Sequence, residues 1–253
     1  MASTGLAGTH EDSARDRRAH PPAIVDVSER PKLLDLYCGA GGASTGYAEA
    51  GFDVIGVDIA PQPHYPFPFV RLDALQLDPV YLDRFDLIHA SPPCQRYSGM
   101  SKRWDRSGDH PDLIGPTREL LFASGVPFVI ENVQGAPLLD ALTLCGSMFG
   151  LRSGAYQLRR HRLFEAHGVE LWPAPAQCAH SGPALPVYGH AGGRSVRDGL
   201  SFPGTAAWRE GMGISWMTGA ELAESIPPAF TQWVGGRAMT QLRTSAILDV
   251  LAL

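Results

Sequence analysis

The chain is poor in lysine, in long apolar runs and in paired cysteines, and each shortage narrows what it can be. Lys32 and Lys102 are its only lysines, against 19 arginines, and 26 acidic residues outnumber 21 basic ones for a net charge of −5. No global positive field therefore draws the protein to nucleic acid, and any such contact must come from a local arginine patch. Arginine suits bidentate contacts to phosphates and bases, although a biased genomic base composition explains the skew equally well. The longest apolar stretches, LLDLYCGA (33–40) and PFVIENV (127–133), are broken by charge far short of the roughly 20 residues a bilayer span needs. Residues 1–20 are polar and lack the apolar core of a signal peptide. Cys38, Cys94, Cys145 and Cys178 form no CxxC pair, which excludes a dense disulfide scaffold and fits a reducing cytoplasm.

Glycine and proline are plentiful, 28 and 21 of 253 residues, but no repeat gathers them, so they punctuate loops. Residues 1–30 mix charges without an apolar period and read as a disordered leader. From Lys32 a grammar of strands and helices begins. Leu33–Tyr37, Val54–Asp58, Phe69–Asp73, Phe85–Ala90 and Pro127–Val133 read as strands, while Ala43–Ala50 and Leu113–Ser124 read as helices. This alternation predicts an α/β fold with a mostly parallel sheet, helices on both faces and a ligand at the carboxyl ends of the strands. CGSMFGL (145–151) and HRLFEA (161–166) are expected to extend the sheet as a hairpin. Residues 31–166 thus form one domain. Residues 167–210, with seven glycines and five prolines, form a small irregular lobe. Residues 211–253 return to close the first domain with helices over 219–225 and 231–250.

Three clusters carry chemistry. The first is LLDLYCGAGGASTG (33–46), where glycines after a first strand let a ligand approach a helix N-terminus. Asp58 ends the second strand, where a carboxylate can accept from ribose hydroxyls, and Asp73 ends the third, placed to read an adenine amine. Ser44 stands where a dinucleotide fingerprint wants Gly or Ala, which argues against NAD, and a tight strand-to-helix turn needs glycine in any case. The second is DLIHASPPCQRYS (86–98), which displays Cys94 at the sheet edge behind two prolines, as a candidate thiolate nucleophile. The third is Glu131, emerging from an apolar strand, where partial burial would raise its pKa enough to hold a proton near neutrality. A small core cysteine and a solvated strand-end glutamate are the plain alternatives. For Cys38 and Cys145 packing is the preferred reading. Cys178, His180 and His190 lack a second ligand pair at metal spacing, so no metal is expected.

DLYCGAGG, VIGVDI, RLDAL, SPPCQ, ENV and RHRLF stand in the order and spacing of the DNA cytosine-5 methyltransferase family, which the chain resembles from about residue 32 to 166, and MGISWMTGAELAESIPPAFTQWVG is similar to that family's closing segment. The resemblance implies a Rossmann-like methyltransferase fold, S-adenosylmethionine as cofactor and cytosine in double-stranded DNA as substrate, in a monomer working in a bacterial or phage-infected cell, restriction–modification included. It implies that Cys94 adds to carbon 6 of a flipped-out cytosine, that Glu131 engages N3 and the exocyclic amine, and that Arg160 and Arg162 contact the base carbonyl and a phosphate. It further implies a cofactor site of Asp35, Tyr37, Gly39, Gly41, Gly42, Asp58, Ile59, Asp73, Ala74 and Pro93, with Tyr37 packed on adenine. Gly99–Asp109 is expected to be a lid, with the lid, Arg160, Arg162, Arg194 and Arg197 meeting phosphates. Two departures stand out. Gln157 lies one position further from the arginine pair than the family's glutamine, and Glu224 replaces an asparagine. Activity on RNA, or a silent DNA-binding regulator on the same scaffold, are the competing readings. The small lobe implies a short or relaxed recognition sequence.

Overall fold

The computed structural model describes residues 29–97, 108, 110–188, 194–195, 200–201 and 203–251. Nearly all of the expected leader, the expected lid apart from Gly108, His190 and Arg197 lie outside the described residues. A seven-stranded sheet forms the centre. In chain order its strands are β1 (Lys32–Leu36), β2 (Asp53–Asp58), β3 (Phe69–Arg71), β4 (Leu87–Ala90), β5 (Phe128–Val133), β6 (Leu142–Leu144) and, after β7 (Arg152–Ser153) and β8 (Tyr156–Leu158), β9 (Arg162–His167). Their order is β3-β2-β1-β4-β5-β9-β6. The first five run parallel, and β9 lies antiparallel between β5 and β6. The expected α/β architecture is therefore present, with the chain reversing direction across the sheet between β1 and β4, where open sheets of this kind leave a crevice for ligands.

The hairpin differs in detail. HRLFEA supplies β9, but its partner β6 precedes CGSMFGL, and Gly146–Phe149 is a 3-10 turn closed by Met148 N–H to Cys145 O (2.9 Å). Met148 and Phe149, the two apolar residues between Gly146 and Gly150, are too few to make a paired strand.

The central strands are buried on both sides, and strand alternation sorts their side chains between two cores. Leu33, Leu87 and Val129 face the side covered by α1 (Gly42–Ala50) and α6 (Pro228–Leu251). Leu34, Leu36, Ile88, Ala90, Phe128 and Ile130 face the other side, with Leu82 of α2 (Pro79–Leu82) and Leu121 of α3 (Ile114–Ser124). Two residues on from Leu33, Leu87 and Val129, the α1 face carries Asp35, His89 and Glu131, all buried. The sheet thus aims a polar row towards its carboxyl edge beneath α1.

Helices α1 and α6 pack closely because Gly46 has no side chain: a Cβ there would lie 2.0 Å from Pro228 O. Thr231 Oγ1 donates to Ala43 O across the contact (2.8 Å). α6 begins three residues earlier than expected, at Pro228, since proline is well suited to the first turn of a helix. The irregular region is also less separate than the sequence suggests. β10 (Ala184–Leu185) pairs with β8, which pairs with β7, and α4 (Thr205–Met212) begins inside the segment expected to be irregular and runs two residues past it. One cluster joins Leu158, Leu185 and Val187 to Trp208, Met212, Met217 and Leu222, the last of these in α5 (Gly219–Glu224). Its apolar residues are too scattered along the chain for a local pattern to show. Among the described residues, no helix is long and apolar enough to cross a membrane.

Arg118 of α3 grips Glu165 of β9 through two hydrogen bonds of 2.7 Å. Glu165 Oε2 also accepts from Leu139 N–H (2.8 Å), and the pair is mostly shielded from water. Removing one partner strands the other's charge, so Glu165→Ala is expected to cost about 3–5 kcal/mol. Urea unfolding of Glu165→Ala, Arg118→Ala and the double variant checks this, the double variant falling well short of the sum of the two single losses.

Candidate active site

The turn after β1 builds one wall of a cleft of about 310 Å³. Tyr37 and Gly39 take left-handed conformations (φ 59 and 50), and Gly41 (φ 88) caps α1. Gly39 N–H and Ala60 N–H donate to the two oxygens of Asp58 (3.1 and 2.9 Å). Gly42 admits the C-terminal segment, since a Cβ would lie 1.9 Å from Ser225 Oγ, and Trp216 Nε1 donates to Ala40 O (2.9 Å). The closing segment thus clamps the glycine turn.

The opposite wall comes from the ends of β4 and β5. Asn132 Nδ2 donates to Pro92 O (2.8 Å) and its Oδ1 accepts from Val133 N–H (2.9 Å), tying the Ser91–Cys94 turn to β5. Cys94, half-buried, sits beside Glu131 and Arg162. Burial pushes its thiol up, Arg162 draws it back down, Glu131 raises it and Arg160 lowers it. Glu131 is buried. Its Oε2 accepts from Ser91 Oγ–H (2.9 Å), while Oε1 lies 3.1 Å from Arg162 Nε without hydrogen-bond alignment. Burial pushes the carboxyl up, against the pull of Arg162, Ser91 and Arg160. Oε1 therefore keeps a lone pair for an incoming N–H donor.

Ser91 in turn meets His89 Nε2 (3.0 Å), whose Nδ1 meets Tyr47 O–H (3.0 Å). Burial lowers His89 to about 3, so the ring is neutral. With Ser91 donating to Glu131, His89 carries its proton on Nε2 and Tyr47 donates to Nδ1. Sequence reasoning missed this chain, because Tyr47, His89 and Ser91 look like ordinary helix and strand residues until alternation places them on one face.

Asp35 is wholly buried, with Oδ2 accepting from Ser44 Oγ and Oδ1 without a partner. Burial raises its pKa to about 7, the Ser44 hydrogen bond opposing and Asp58 adding to the rise. It lines the cleft with Asp58, Glu221 and Glu224, an acidic wall that fits a ligand bearing positive charge. Tyr37 also lines it, its hydroxyl 2.8 Å from Thr117 Oγ1. Burial raises the phenol's pKa, the Thr117 hydrogen bond lowers it and nearby Asp73 raises it.

Of the expected site residues, Asp35, Tyr37, Gly39, Gly42, Asp58, Ile59, Pro93, Cys94, Glu131 and Arg162 share this cleft. Gly41, Asp73, Ala74 and Arg160 do not line it. Asp73 instead caps a 3-10 turn, accepting from Leu75 N–H (3.0 Å), with Ala74 buried at the start of that turn. Arg160 differs most from expectation. Its two terminal nitrogens donate to Val187 O and Ala223 O (2.6 Å each), so the guanidinium straps the small lobe and α5 to the core rather than offering itself to a substrate.

The expectation that Cys178 and His180 lack a second ligand pair is also corrected. Cys145 and His161 join them, and all four ligand atoms lie within 4.8 Å of one another. Folding, not spacing, supplies the missing pair, with Cys145 buried beside the exposed Cys178 and His180.

No family model matches the chain. It is 28% identical over 130 residues to the type II methyltransferase M.HgiDI of Herpetosiphon aurantiacus, the match covering 47% of this chain and 42% of that protein. A second relative from the same organism, the type II methyltransferase M.HgiGI, is 29% identical over 118 residues, covering 42% of this chain and 94% of the relative. Among solved structures, a prophage-encoded protein described as a DNA modification methyltransferase (E. coli) matches 84% of this chain and 99% of its own at TM-score 0.54 and 14% identity. The Entamoeba histolytica methyltransferase EhMeth (TM-score 0.55, 10% identity) and S. pombe Dnmt2 (0.51, 13%) each match over 85% of this chain and 99% of theirs. The chain thus shares its fold, a mostly parallel Rossmann-like sheet flanked by helices, with these methyltransferases.

Proposed function

We propose that the chain is a DNA methyltransferase that carries a methyl group from S-adenosylmethionine to carbon 5 of cytosine. The observation that carries this reading is the meeting of Cys94, Glu131 and Arg162 in one cleft with the glycine turn, Asp35 and Asp58. The relatives named as type II methyltransferases and the fold shared with a prophage protein described as a DNA modification methyltransferase support the coarser part of this reading, a DNA methyltransferase.

The cleft fits the cofactor. The unpartnered Oδ1 of Asp35 would offer an acceptor to its cationic end, the Gly39–Gly42 turn would let it approach the backbone, and Asp58 and Tyr37 in the same cleft would hold its ribose and adenine. When bound, S-adenosylmethionine supplies an electrophilic methyl carbon. Cytosine carbon 5 is a weak nucleophile, and the Cys94 thiolate strengthens it by forming a bond to carbon 6, pushing the ring electrons towards carbon 5. Glu131 accepts from the exocyclic amine and holds a proton at N3, stabilising the adduct. Arg162 sets the orientation of Glu131 and favours the thiolate. After transfer, water takes the proton from carbon 5, the electrons of that C–H bond restore the ring double bond, and the bond from carbon 6 to Cys94 breaks to return the thiolate. The ring is attacked from its face, so a base in a duplex must leave the stack. Reading of the target falls to the small lobe, which favours a short recognition sequence.

Cys94→Ala is expected to abolish methyl transfer while cofactor affinity stays within about twofold; retained transfer removes the covalent route. Glu131→Gln is expected to lower the single-turnover rate by about 10²–10⁴, since the amide cannot hold the N3 proton. Digestion to nucleosides and mass spectrometry after incubation with labelled cofactor reads both variants and the substrate class. The expected product is 5-methyldeoxycytidine from unmethylated plasmid, with none from transfer RNA; label in RNA or on the exocyclic amine overturns the assignment.

Asp35 gives a pH test. Its pKa of about 7 lies above the ordinary 3.8, so the cofactor-free fold holds a proton that the unfolded chain releases. Its contribution to stability is fully present below about 4 and declines as pH rises towards 7. A cationic ligand favours the carboxylate, so affinity for S-adenosylmethionine is expected to increase about tenfold from pH 6 to pH 8. Titration calorimetry of the wild type and Asp35→Asn checks this, the variant losing the rise. Thermal unfolding of the cofactor-free pair over the same range should show a smaller decline for the variant.

A further inference from the structure

We propose that Cys145, His161, Cys178 and His180 form a closed, structural zinc site that fastens the 168–183 loop to the end of the central sheet. The site lies apart from the cleft and stands whether or not the methyl-transfer reading holds. Cys145 Sγ is 3.3 Å from His180 Nε2, and Cys178 Sγ is 3.3 Å from His161 Nε2 and 3.1 Å from His180 Nε2. A tetrahedral zinc ion with bonds of about 2.3 Å to sulfur and 2.0–2.1 Å to nitrogen holds its ligand atoms roughly 3.3–3.8 Å apart. Three of the six separations are therefore close to those of a filled site, and all lie within 4.8 Å. Both histidines present the same ring nitrogen, and their rings meet edge to face at 73°, as neighbouring ligands around one ion do.

Hydrogen bonding alone accounts poorly for the arrangement. A thiol has one proton, yet Cys178 Sγ faces two imidazole nitrogens while also accepting from Ser147 Oγ–H at 3.8 Å. A cation at the centre satisfies all four groups at once. Two thiolates and two imidazoles, with no carboxylate, select zinc over magnesium or calcium, and four protein ligands leave no open position for catalysis.

The scaffold fits the role. Cys145 caps the 3-10 turn after β6 and His161 immediately precedes β9, so two ligands are fixed by paired strands. The other two lie on a loop with no regular structure and little buried apolar surface beyond Leu171. That loop already leans on the same edge: Gln157 Nε2 donates to Ala179 O and its Oε1 accepts from Ser181 N–H (3.1 Å each), while Ala179 N–H donates to Ser147 Oγ (3.3 Å). A metal cross-link completes what these bonds begin. His161 also sits between Arg160, which straps the lobe, and Arg162, which meets Glu131, so a bound ion would hold that segment in place.

The test is metal analysis of the full chain purified without chelators from zinc-supplemented cells. Inductively coupled plasma mass spectrometry is expected to find about one zinc per chain. Because Cys145 is buried and its replacement risks the fold, the informative variants are Cys178→Ser and His180→Ala, at exposed positions. Each should lose most of the zinc, while Cys94→Ala keeps it. Cobalt substitution should give the intense visible bands of a tetrahedral ion and a thiolate charge-transfer band, both lost in Cys178→Ser. A zinc content below about half an equivalent, or one unchanged in Cys178→Ser, overturns the site. So does peptide mapping that finds Cys145 and Cys178 joined as a disulfide.

Discussion

A row of buried polar side chains along one face of a parallel sheet is the constraint on which the rest of the structure depends. Asp35 pairs in register with His89, His89 with Val129, and Glu131 follows two residues on. Burying such groups costs free energy unless each finds a partner. Helix α1 supplies two from one face, Ser44 over Asp35 and Tyr47 over His89, and the turn after β4 supplies Ser91 between His89 and Glu131. The position of α1 is thus set by polar demand as well as by packing. Two oxygens on the row stay unsatisfied, Asp35 Oδ1 and Glu131 Oε1, and both belong to residues that line the cleft. Stability withheld there is available for binding.

The support of this row extends far along the chain. α6 reaches α1 through the gap left by Gly46, and Ser225 fills the space over Gly42. Trp216 bonds the glycine turn from a third point. On the other side, Arg118 and Glu165 lock β9 to α3, so Arg162 leaves β9 at a defined place beside Glu131. Arg160 connects the same segment to the lobe and α5. The cleft is therefore held by residues from both ends of the described chain, which is why a closing segment so distant in sequence matters to it.

How much of this was legible before the structure depends on the range of the interaction. The glycine turn, Asp58, Cys94 and Glu131 could be placed from strand ends because each position follows from local geometry: a strand, a turn and what projects from its tip. The row of Tyr47, His89 and Ser91 was recoverable in principle by applying the two-residue period to every buried strand, but a continuous apolar strand hides which face is which. Arg160 and Arg162, two residues apart, look equivalent in sequence. Only the carbonyls of Val187 and Ala223 separate a strap from a site residue. The packing of the small lobe was hidden for the same reason, since its core draws on Leu158, Leu185 and Trp208, too far apart to form a period.

By itself the sequence determined the alternation of strands and helices, the parallel sheet and the residues at its carboxyl edge, because these follow from hydrophobic period, glycine placement and turn chemistry over a few residues. Tertiary structure alone decided which oxygens are left unpaired, which arginine meets Glu131, and that Cys145 and His161 converge with Cys178 and His180. Those outcomes depend on groups brought together from distant positions. The distance between Cys145 and His180 in space is set by how β6, β9 and a loop pack, and no spacing along the chain encodes it.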